Sequence, residues 1–189
     1  PAVLAQIAVE NHIGVIHIST DYVFPGTGNR PLKEDDVPDP RSVYGRTKWE
    51  GEKALEASGC DATILRTAWL YSEFGNNFVK TMLRLGKQRP EVSVVCDQIG
   101  SPTYAEDLAR TILLLAGKPS KGFRRYHYTD RGEVSWYDFA RAIFELYGLK
   151  TPVKSIRTEE YPSVAPRPAY SVLSNEKIQE EGIPVPLWK

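Results

Sequence analysis

Apolar positions along this chain follow two periods, one typical of strands and one typical of helices. Ile13–Ile18 (IGVIHI) is almost continuously apolar, which is typical of a parallel strand buried on both faces. Further strands are predicted over Ala62–Ala68, Val92–Cys96, Phe123–Tyr128 and Pro152–Ile156. Apolar residues at helical spacing predict helices over Pro1–Asn11, Ser42–Ala57, Asn76–Gln88, Tyr104–Ala116 and Trp136–Tyr147. This alternation predicts an α/β fold with a parallel sheet.

Two helix starts carry a local capping signal. Thr103-x-x-Glu106 and Ser135-x-x-Asp138 each precede an apolar helical segment. A hydroxyl followed three residues later by an acidic side chain can satisfy free amides at a helix N-terminus from both sides. We therefore expect a capping box at both places.

Two clusters of side chains follow predicted strands at their carboxyl ends. Ser19, Thr20, Asp21 and Tyr22 come directly after Ile13–Ile18, and Trp69, Leu70 and Tyr71 come directly after Ala62–Ala68. In open α/β sheets, ligands bind beyond the carboxyl ends of the strands. We therefore expect these two clusters to meet at the rim of a ligand site.

Tyr44 and Lys48 lie four residues apart on the predicted helix that follows this rim, so they share a face. A Lys ammonium near a phenol favours the phenolate and so tunes the Tyr as a proton donor to a carbonyl oxygen. Lys48 could also hydrogen-bond a cofactor ribose. The alternative is an ordinary exposed helix face. Gly45 and Gly51 destabilise the same helix, which indicates that another group approaches it closely, with loose packing as the alternative.

Composition disfavours several classes of protein. The 189 residues contain 24 Lys and Arg against 24 Asp and Glu, and a formal charge of zero disfavours a nucleic-acid binder. No apolar run approaches the ~18–20 residues that cross a bilayer, so we expect no membrane partner. Cys60 and Cys96 form neither a disulfide framework nor a metal motif, which indicates a reducing compartment and a cytoplasmic location. The three histidines have no metal-ligand spacing.

Six sequence blocks occur in order and carry a family resemblance. They are STDYVFPG (Ser19–Gly26), YGRTKWEGE (Tyr44–Glu52), LRTAWLY (Leu65–Tyr71), GNNFVKTML (Gly75–Leu83), DQIGSPTY (Asp97–Tyr104) and APRPAYSVLS (Ala165–Ser174). Together they resemble the bacterial dTDP-4-dehydrorhamnose reductases, a family of extended short-chain dehydrogenases/reductases, over essentially the whole chain. The resemblance implies the C-terminal part of a Rossmann-like parallel sheet with a small α/β substrate-binding lobe.

The resemblance also implies a reaction and its partners. NADPH, or in some members NADH, would reduce the C4 keto group of dTDP-4-dehydro-L-rhamnose to give dTDP-L-rhamnose. A dTDP-sugar would therefore be the small-molecule partner, and a homodimer is left open. Some members link dimers through a divalent metal held by acidic residues near Glu106. We assign no metal here, because Glu106 most simply belongs to the predicted capping box.

Residue roles at the rim follow from the same resemblance. Tyr44 would be the proton donor, Lys48 would orient the nicotinamide ribose, and Ser19 would lie against the cofactor. Thr20 would hydrogen-bond the reacting oxygen of the sugar. Asp21 would contact the sugar or organise the site, with capping of the following turn as its alternative.

Four later residues are implied as substrate contacts. Trp69 would pack near the substrate, with ordinary core packing as the alternative. Asn76 and Asn77 would open a helix whose N-terminus suits a diphosphate, with simple capping by Asn76 as the alternative. Arg167 would grip phosphate oxygens, with a surface turn as the alternative. Arg66, by contrast, is expected to be a structural partner of a carboxylate.

One motif of the family is absent from this sequence. The family opens with a Gly-x-x-Gly-x-x-Gly loop that holds the cofactor pyrophosphate, and no such spacing occurs in the 189 residues. We expect a longer protein that carries a first half-sheet of roughly 80 residues and a final helix beyond Trp188. The expected domains are a partial Rossmann (NADP-binding) domain over 1–70 and 98–122 and a substrate-binding lobe over 71–97 and 123–189. A sheet edge is then expected to be exposed.

Two other functions remain open from the sequence. A non-catalytic regulatory subunit of the same fold would keep Thr20, Tyr44 and Lys48, so these residues do not separate it from a reductase. A nucleotide-sugar epimerase or dehydratase is the second alternative. A dehydratase typically has Asp-Glu directly after the strand-end Thr, whereas Asp21-Tyr22 stands here. The GNNF block and Trp69 favour the reductase.

Because the pyrophosphate-binding loop is absent from this sequence, we expect the 189-residue chain alone to bind NADPH weakly. Calorimetric titration of the chain with NADPH tests this expectation. A low-micromolar dissociation constant would contradict it.

Overall fold

Helices and strands alternate along the chain in the computed structural model, which describes residues 1–118, 121–161, 163 and 165–189. The helices of these residues are α1 (Ala2–Asn11), α2 (Val43–Ser58), α3 (Phe78–Gln88), α4 (Ala105–Ala116), α5 (Trp136–Leu146) and α6 (Glu176–Glu180). The strands are β1 (Val15–Thr20), β2 (Ala62–Thr67), β3 (Leu70–Tyr71), β4 (Val92–Val95), β5 (Ile99–Gly100), β6 (Thr103–Tyr104), β7 (Phe123–His127), β8 (Val134–Ser135) and β9 (Val153–Ile156). Every predicted helix and strand is confirmed, with ends displaced by at most two residues. Among the described residues, no helix is both long and apolar enough to cross a membrane.

A three-stranded parallel sheet, with β2 between β1 and β7, carries the predicted Rossmann-like arrangement. The register sets Thr20 opposite Thr67, so the carboxyl ends of the strands share one edge. All of β2 is buried, because strands flank it on both sides and helices cover both faces of the sheet. Residues 15–18 of β1 are only half-buried, so the prediction that this segment is buried on both faces was wrong there. Within the described part of the chain β1 is an edge strand, which a neighbour covers from one side only.

Helices cover both faces of this sheet. Side chains alternate between the two faces along β2. Ile64 packs with Leu55 of α2 and with alanines of α1, whereas Leu65 packs with Leu108 of α4 and with Tyr126. Full burial of a Leu or Ile side chain contributes about 1.5–3 kcal/mol. The layered packing therefore fixes how α2 lies against the sheet.

A second, smaller core forms beside the sheet. β4 and β9 pair in parallel, and α3 and α5 pack together next to them. Met82, Phe139 and Ile143 lie in this core. The domain limits stay a prediction. Phe123–His127, which that prediction assigns to the lobe, pairs with β2, and we therefore propose to group it with the three-stranded sheet.

Of the two predicted capping boxes, the structure has the one at α5 and lacks the one at α4. Ser135 and Asp138 form the predicted capping box of α5. The box predicted for Thr103 and Glu106 is wrong, because α4 starts after Tyr104 without a side-chain cap bond. The Thr103 hydroxyl instead donates at 2.6 Å to the carbonyl that follows β2, and Glu106 pairs with an arginine one turn along its own helix. Tertiary partners thus replace the local cap.

The two glycines of α2 mark close approaches by other parts of the chain. A Cβ atom at Gly45 would overlap the carbonyl oxygen of Tyr22, and one at Gly51 would lie 2.8 Å from Pro1 Cγ. The predicted close approach is therefore confirmed, and the approaching groups belong to the protein itself. Gly45 lets α2 lie directly against the turn that follows β1.

A fully buried ion pair joins α2 to the sheet. The side chains of Glu52 and Arg66 have no exposed surface. Arg66 donates from Nε and Nη2 to the two carboxylate oxygens at 3.0 and 2.8 Å. Ser19 Oγ donates to Glu52 Oε1 at 2.5 Å, and Arg125 Nε donates to Oε2 at 3.0 Å. The expectation that Arg66 is the structural partner of a carboxylate is confirmed.

Replacement of Arg66 by methionine should lower the free energy of unfolding by about 3–5 kcal/mol, because it leaves a buried carboxylate without its main partner. Urea denaturation measures the change. The matched control is Lys33→Met, which breaks the exposed ion pair with Glu176 and should leave the unfolding free energy unchanged within error. Equal stability of the two variants would contradict the prediction.

Candidate active site

A cleft of about 330 Å³ opens at the carboxyl edge of the three-stranded sheet. We call it the rim cleft, and it is lined by Ile18, Ser19, Thr20, Asp21, Tyr22, Tyr44, Lys48, Thr67, Ala68, Trp69, Leu70, Gln98, Trp136, Pro168 and Ser171. The polar cluster after β1 and the aromatic cluster after β2 therefore meet, as the strand-end rule predicts. The start of α2 brings Tyr44 and Lys48 to the same place.

Tyr44 and Lys48 enter the rim cleft from the first turns of α2, which Ser42 caps. Tyr44 is 54% exposed, and its ring packs edge-on against Tyr22 with centroids 5.7 Å apart. Lys48 Nζ donates to the carbonyl oxygen of Ile18 at 2.6 Å. An ammonium has three N–H donors, so two are left for a ligand. The site thus presents an accessible phenol next to an anchored cation.

Thr20 and Asp21 form a buried polar pair at the end of β1. Thr20 Oγ1 donates to Asp21 Oδ1 at 3.0 Å and accepts from the amide of Tyr22 at 3.2 Å. Asp21 Oδ2 is buried and has no hydrogen-bond partner among the described residues. Burial raises the pKa of Asp21 to about 6, although the hydrogen bond from Thr20 opposes the rise. Asp21 is therefore a carboxyl group that can exchange a proton close to neutral pH.

Ser19 lines the rim cleft, but its hydroxyl already has an internal partner. Ser19 is 3% exposed, and its Oγ donates to Glu52. The predicted contact with a cofactor stays a prediction. The hydrogen bond itself supports a structural role, which ties the end of β1 to α2.

Trp69 forms one wall of the rim cleft, where the family resemblance places it. Its backbone is in the left-handed region with φ +47°, which is uncommon for a bulky residue. Its indole stacks on that of Trp136, with ring centroids 3.5 Å apart and planes 9° from parallel. Trp69 is half-buried: it lies at the cleft surface and also packs against the second core, so its contact with a substrate stays a prediction.

A second cavity, of about 420 Å³, lies next to the rim cleft and shares Gln98 and Trp136 with it. Its other lining residues are Phe78, Thr81, Met82, Leu85, Ser93, Val94, Val95, Tyr161 and Arg167. The Arg167 guanidinium lies 5.9 Å from the centre of the Tyr161 ring. An apolar cavity with aromatic walls and one cation suits a ligand that carries a flat ring and a negative charge.

Asn76 and Asn77 do not line either of these two cavities as the described residues form them. Asn77 is the cap of α3: its Oδ1 accepts from the amide of Lys80 at 3.1 Å, and its Nδ2 donates to the carbonyl of Ser72 at 2.6 Å. Asn76 is exposed. The structure therefore assigns capping to Asn77 rather than to Asn76, and substrate contact by either residue stays a prediction.

Gln98, Trp136 and Ser171 are among the residues of the rim cleft that the sequence reasoning missed. Gln98 is 3% exposed, and its Oε1 has no partner among the described residues. Trp136 begins α5 directly after the capping Ser135, where an aromatic residue indicates only core packing. The one available signal was that Gln98 and Ser171 fall inside two of the six family blocks. Across the described ranges, no group of three His, Cys, Asp or Glu side chains could hold a metal ion.

The chain is similar to known proteins along its whole length. A model of the RmlD substrate binding domain family matches residues 1–189. The spore coat polysaccharide biosynthesis protein SpsK of Bacillus subtilis is 49% identical over 174 residues, which cover 92% of this chain and 60% of SpsK. The chain therefore spans about three fifths of the length of this relative.

Two solved structures of dTDP-4-dehydrorhamnose reductases superpose closely. The protein from Clostridium acetobutylicum has a TM-score of 0.95 and 45% identity, covering 100% of this chain and 66% of that one. The protein from Bacillus anthracis, solved in complex with NADP, has a TM-score of 0.94 and 40% identity, covering 99% of this chain and 66% of that one.

The raised pKa of Asp21 predicts a pH-dependent cost to stability. Folded Asp21 keeps its proton up to about pH 6, whereas the unfolded group ionises near its ordinary pKa of 3.8. Ionisation therefore destabilises the folded chain, and this cost grows as pH rises from about 4 to 6 and persists above that. Relative to Asp21→Asn, the unaltered chain should lose about 2–3 kcal/mol of unfolding free energy between about pH 3.5 and 7.5.

Urea denaturation of both proteins at the two pH values gives this difference directly. Asp36→Asn is the control of opposite sign, because a hydrogen bond from Arg30 holds the pKa of Asp36 below its ordinary value. The unaltered chain should gain stability with pH relative to that variant. A pH difference of zero for Asp21→Asn would refute the buried, proton-exchanging carboxyl.

Proposed function

The chain belongs to the RmlD substrate binding domain family, and on that basis we propose that it forms the catalytic and substrate-binding part of a nucleotide-sugar reductase. The proposed reaction is reduction of the C4 keto group of dTDP-4-dehydro-L-rhamnose to the hydroxyl of dTDP-L-rhamnose. The names of the two similar solved structures support this substrate, and the NADP complex of the Bacillus anthracis protein supports NADPH as the reductant.

One observation carries the proposal: the rim cleft gathers Thr20, Tyr44 and Lys48 and shares Gln98 and Trp136 with the neighbouring second cavity. A nucleotide sugar has two unlike ends, a polar sugar and a flat base, joined by a charged diphosphate. The polar rim cleft suits the sugar, and the aromatic second cavity suits the base. A ligand that fills both would place its sugar carbonyl beside Tyr44.

Tyr44 is the proposed proton donor. When bound, NADPH would supply a hydride to the carbonyl carbon, and the carbonyl oxygen then needs a proton to become a hydroxyl. The phenol of Tyr44 is the accessible acid in the rim cleft, and the edge contact with Tyr22 restricts its ring. General acid catalysis by a positioned side chain contributes about 10²–10⁴-fold to the rate.

Lys48 is the residue on this chain that fits a cofactor ribose. Its ammonium is anchored on the carbonyl of Ile18 and keeps two donors for the neighbouring ribose hydroxyls. The same positive charge stabilises the phenolate that Tyr44 becomes after it gives up its proton. Lys48 therefore serves both binding and proton transfer.

Thr20 and Asp21 would hold the reacting end of the sugar. The Thr20 hydroxyl now donates to Asp21. When Asp21 takes up a proton, it no longer needs this hydrogen bond, and the Thr20 hydroxyl can turn to the sugar oxygen. The protonation state of Asp21 thus decides whether the Thr20 hydroxyl donates its hydrogen bond to Asp21 or to the sugar oxygen.

The second cavity would hold the nucleotide. Phe78 and Tyr161 offer ring faces on which a thymine base could stack. Arg167, beside Tyr161, would pair with the diphosphate, because a guanidinium matches phosphate oxygens in a two-pronged geometry.

The proposed cytoplasmic location has separate support. Cys60 and Cys96 are both free thiols; Cys60 is buried and Cys96 is half-buried. Unpaired thiols of this kind persist in reducing compartments.

Replacement of Tyr44 by phenylalanine should lower kcat for the dTDP-sugar by about 10²–10⁴-fold, because the ring remains while the proton donor is lost. NADPH oxidation with dTDP-4-dehydro-L-rhamnose measures the effect, in the protein as its gene encodes it. The KM for the sugar should stay within a few-fold.

Tyr147→Phe is the matched control, since Tyr147 is comparably exposed and lies at the far end of α5. It should keep full activity. If the unaltered protein binds NADPH but reduces no dTDP-sugar, the reductase proposal fails and a non-catalytic regulatory subunit of this fold takes its place.

A further inference from the structure

Trp69 has a conformation that its surroundings must impose. A left-handed backbone at φ +47° is disfavoured for a bulky side chain, because Cβ crowds the following carbonyl. Its ring pair with Trp136 is also closer and flatter than aromatic pairs prefer, with centroids 3.5 Å apart where about 4.5–7 Å is usual. Neighbouring residues therefore determine where the indole of Trp69 lies.

Three neighbours hold it. The amide of Thr103 donates to the Trp69 carbonyl at 3.2 Å, and the Thr103 hydroxyl donates to the preceding carbonyl at 2.6 Å. Trp136 covers one face of the indole. Gly100 lies against its edge so closely that a Cβ atom there would be 2.6 Å from Trp69 Cε2. The indole fits only because residue 100 has no side chain.

This placement has a consequence for binding. Trp69 lines the rim cleft together with Tyr44, whereas Trp136 lines the rim cleft and the second cavity. The stacked pair thus stands at the junction of the two spaces. A rigid aromatic face at that point gives the apolar face of a sugar ring a surface to pack on, and it limits how the sugar can rotate.

We propose that Gly100 and Trp136 are positioning residues, which hold the Trp69 indole as a fixed wall for the sugar of a nucleotide-sugar ligand. The class of ligand rests on the proposed function. Neither residue touches the reacting atoms; each acts through Trp69. Ordinary core packing does not require this arrangement, because a core site next to Phe78 and Phe139 needs only apolar volume at residue 136.

The position of the indole can be tested without any ligand. Stacked indoles give an exciton couplet in circular dichroism, and the unaltered protein should show one. Gly100→Ala keeps all four tryptophans but should abolish the couplet, because the new methyl group displaces Trp69. Trp136→Phe should abolish it by removing one indole. Trp188→Phe is the matched control: Trp188 also packs on Phe139, with centroids 5.7 Å apart, and its loss should leave the couplet intact.

The effect on binding is measured by calorimetry with two probes, dTDP-L-rhamnose and dTDP, in the protein as its gene encodes it. Gly100→Ala should weaken binding of dTDP-L-rhamnose about tenfold and leave binding of dTDP within about twofold, because dTDP has no sugar to meet the wall. Trp136→Phe keeps an aromatic ring and should show a smaller loss for dTDP-L-rhamnose. Equal affinity for dTDP also shows that Gly100→Ala is folded.

Two results would overturn the proposal. One is a Gly100→Ala protein that keeps the couplet, and the other is a variant that loses the couplet yet binds dTDP-L-rhamnose as well as Trp188→Phe does. Failure of the proposed function looks different: the unaltered protein would bind dTDP-L-rhamnose, with selective weakening in Gly100→Ala, but would oxidise no NADPH with the keto-sugar. Absence of binding by the unaltered protein would reject both.

Discussion

The buried ion pair of Glu52 and Arg66 is the interaction on which the site depends. It ties α2, which carries Tyr44 and Lys48, to the middle strand of the sheet and, through Ser19, to the end of β1. A buried pair of this kind adds little stability compared with apolar residues of the same size, because both ions lose their hydration. The ion pair instead fixes the position of α2 on the sheet. The carboxylate accepts four directional hydrogen bonds, so α2 cannot slide along the sheet without breaking them.

The rim cleft is built from two local departures from regular structure. Gly45 lets α2 approach the turn after β1, which brings Tyr44 against Tyr22. The left-handed backbone of Trp69 turns the chain at the end of β2 and sends the indole into the cleft. Each departure costs stability by itself, as glycine inside a helix and a left-handed bulky residue both do. Both occur where the chain must place a side chain rather than continue an element.

The sequence predicted the long elements because their apolar periods are strong, and it predicted the rim because strand ends converge in any parallel sheet. It failed where contacts are set by tertiary structure. Thr103 carries a correct capping pattern, yet its hydroxyl bonds to the carbonyl that follows β2, and no local signal foretells that partner. Trp136 and Gln98 reach the cleft through β5 and β8, strands of two residues that have no period to detect. The local pattern of β1 did not show its edge position, since IGVIHI is as apolar as a central strand; only the absence of the family's first half-sheet from this sequence predicted an exposed edge.

Two buried carboxyl groups at the carboxyl ends of sheet strands destabilise the fold. Burial raises the pKa of Asp21 to about 6 and that of Asp130 to about 7, and both follow the carboxyl ends of sheet strands. Each also has one carboxylate oxygen without a partner among the described residues. A protein selected only for stability would replace these groups by amides or apolar residues, because an ionised carboxylate without full hydrogen bonding is destabilising. The cost is concentrated at one edge of the sheet, where ligands of α/β folds bind, while the opposite end of β2 is closed by ordinary apolar packing. This asymmetry supports the proposed site at that edge by an argument that does not use the family resemblance.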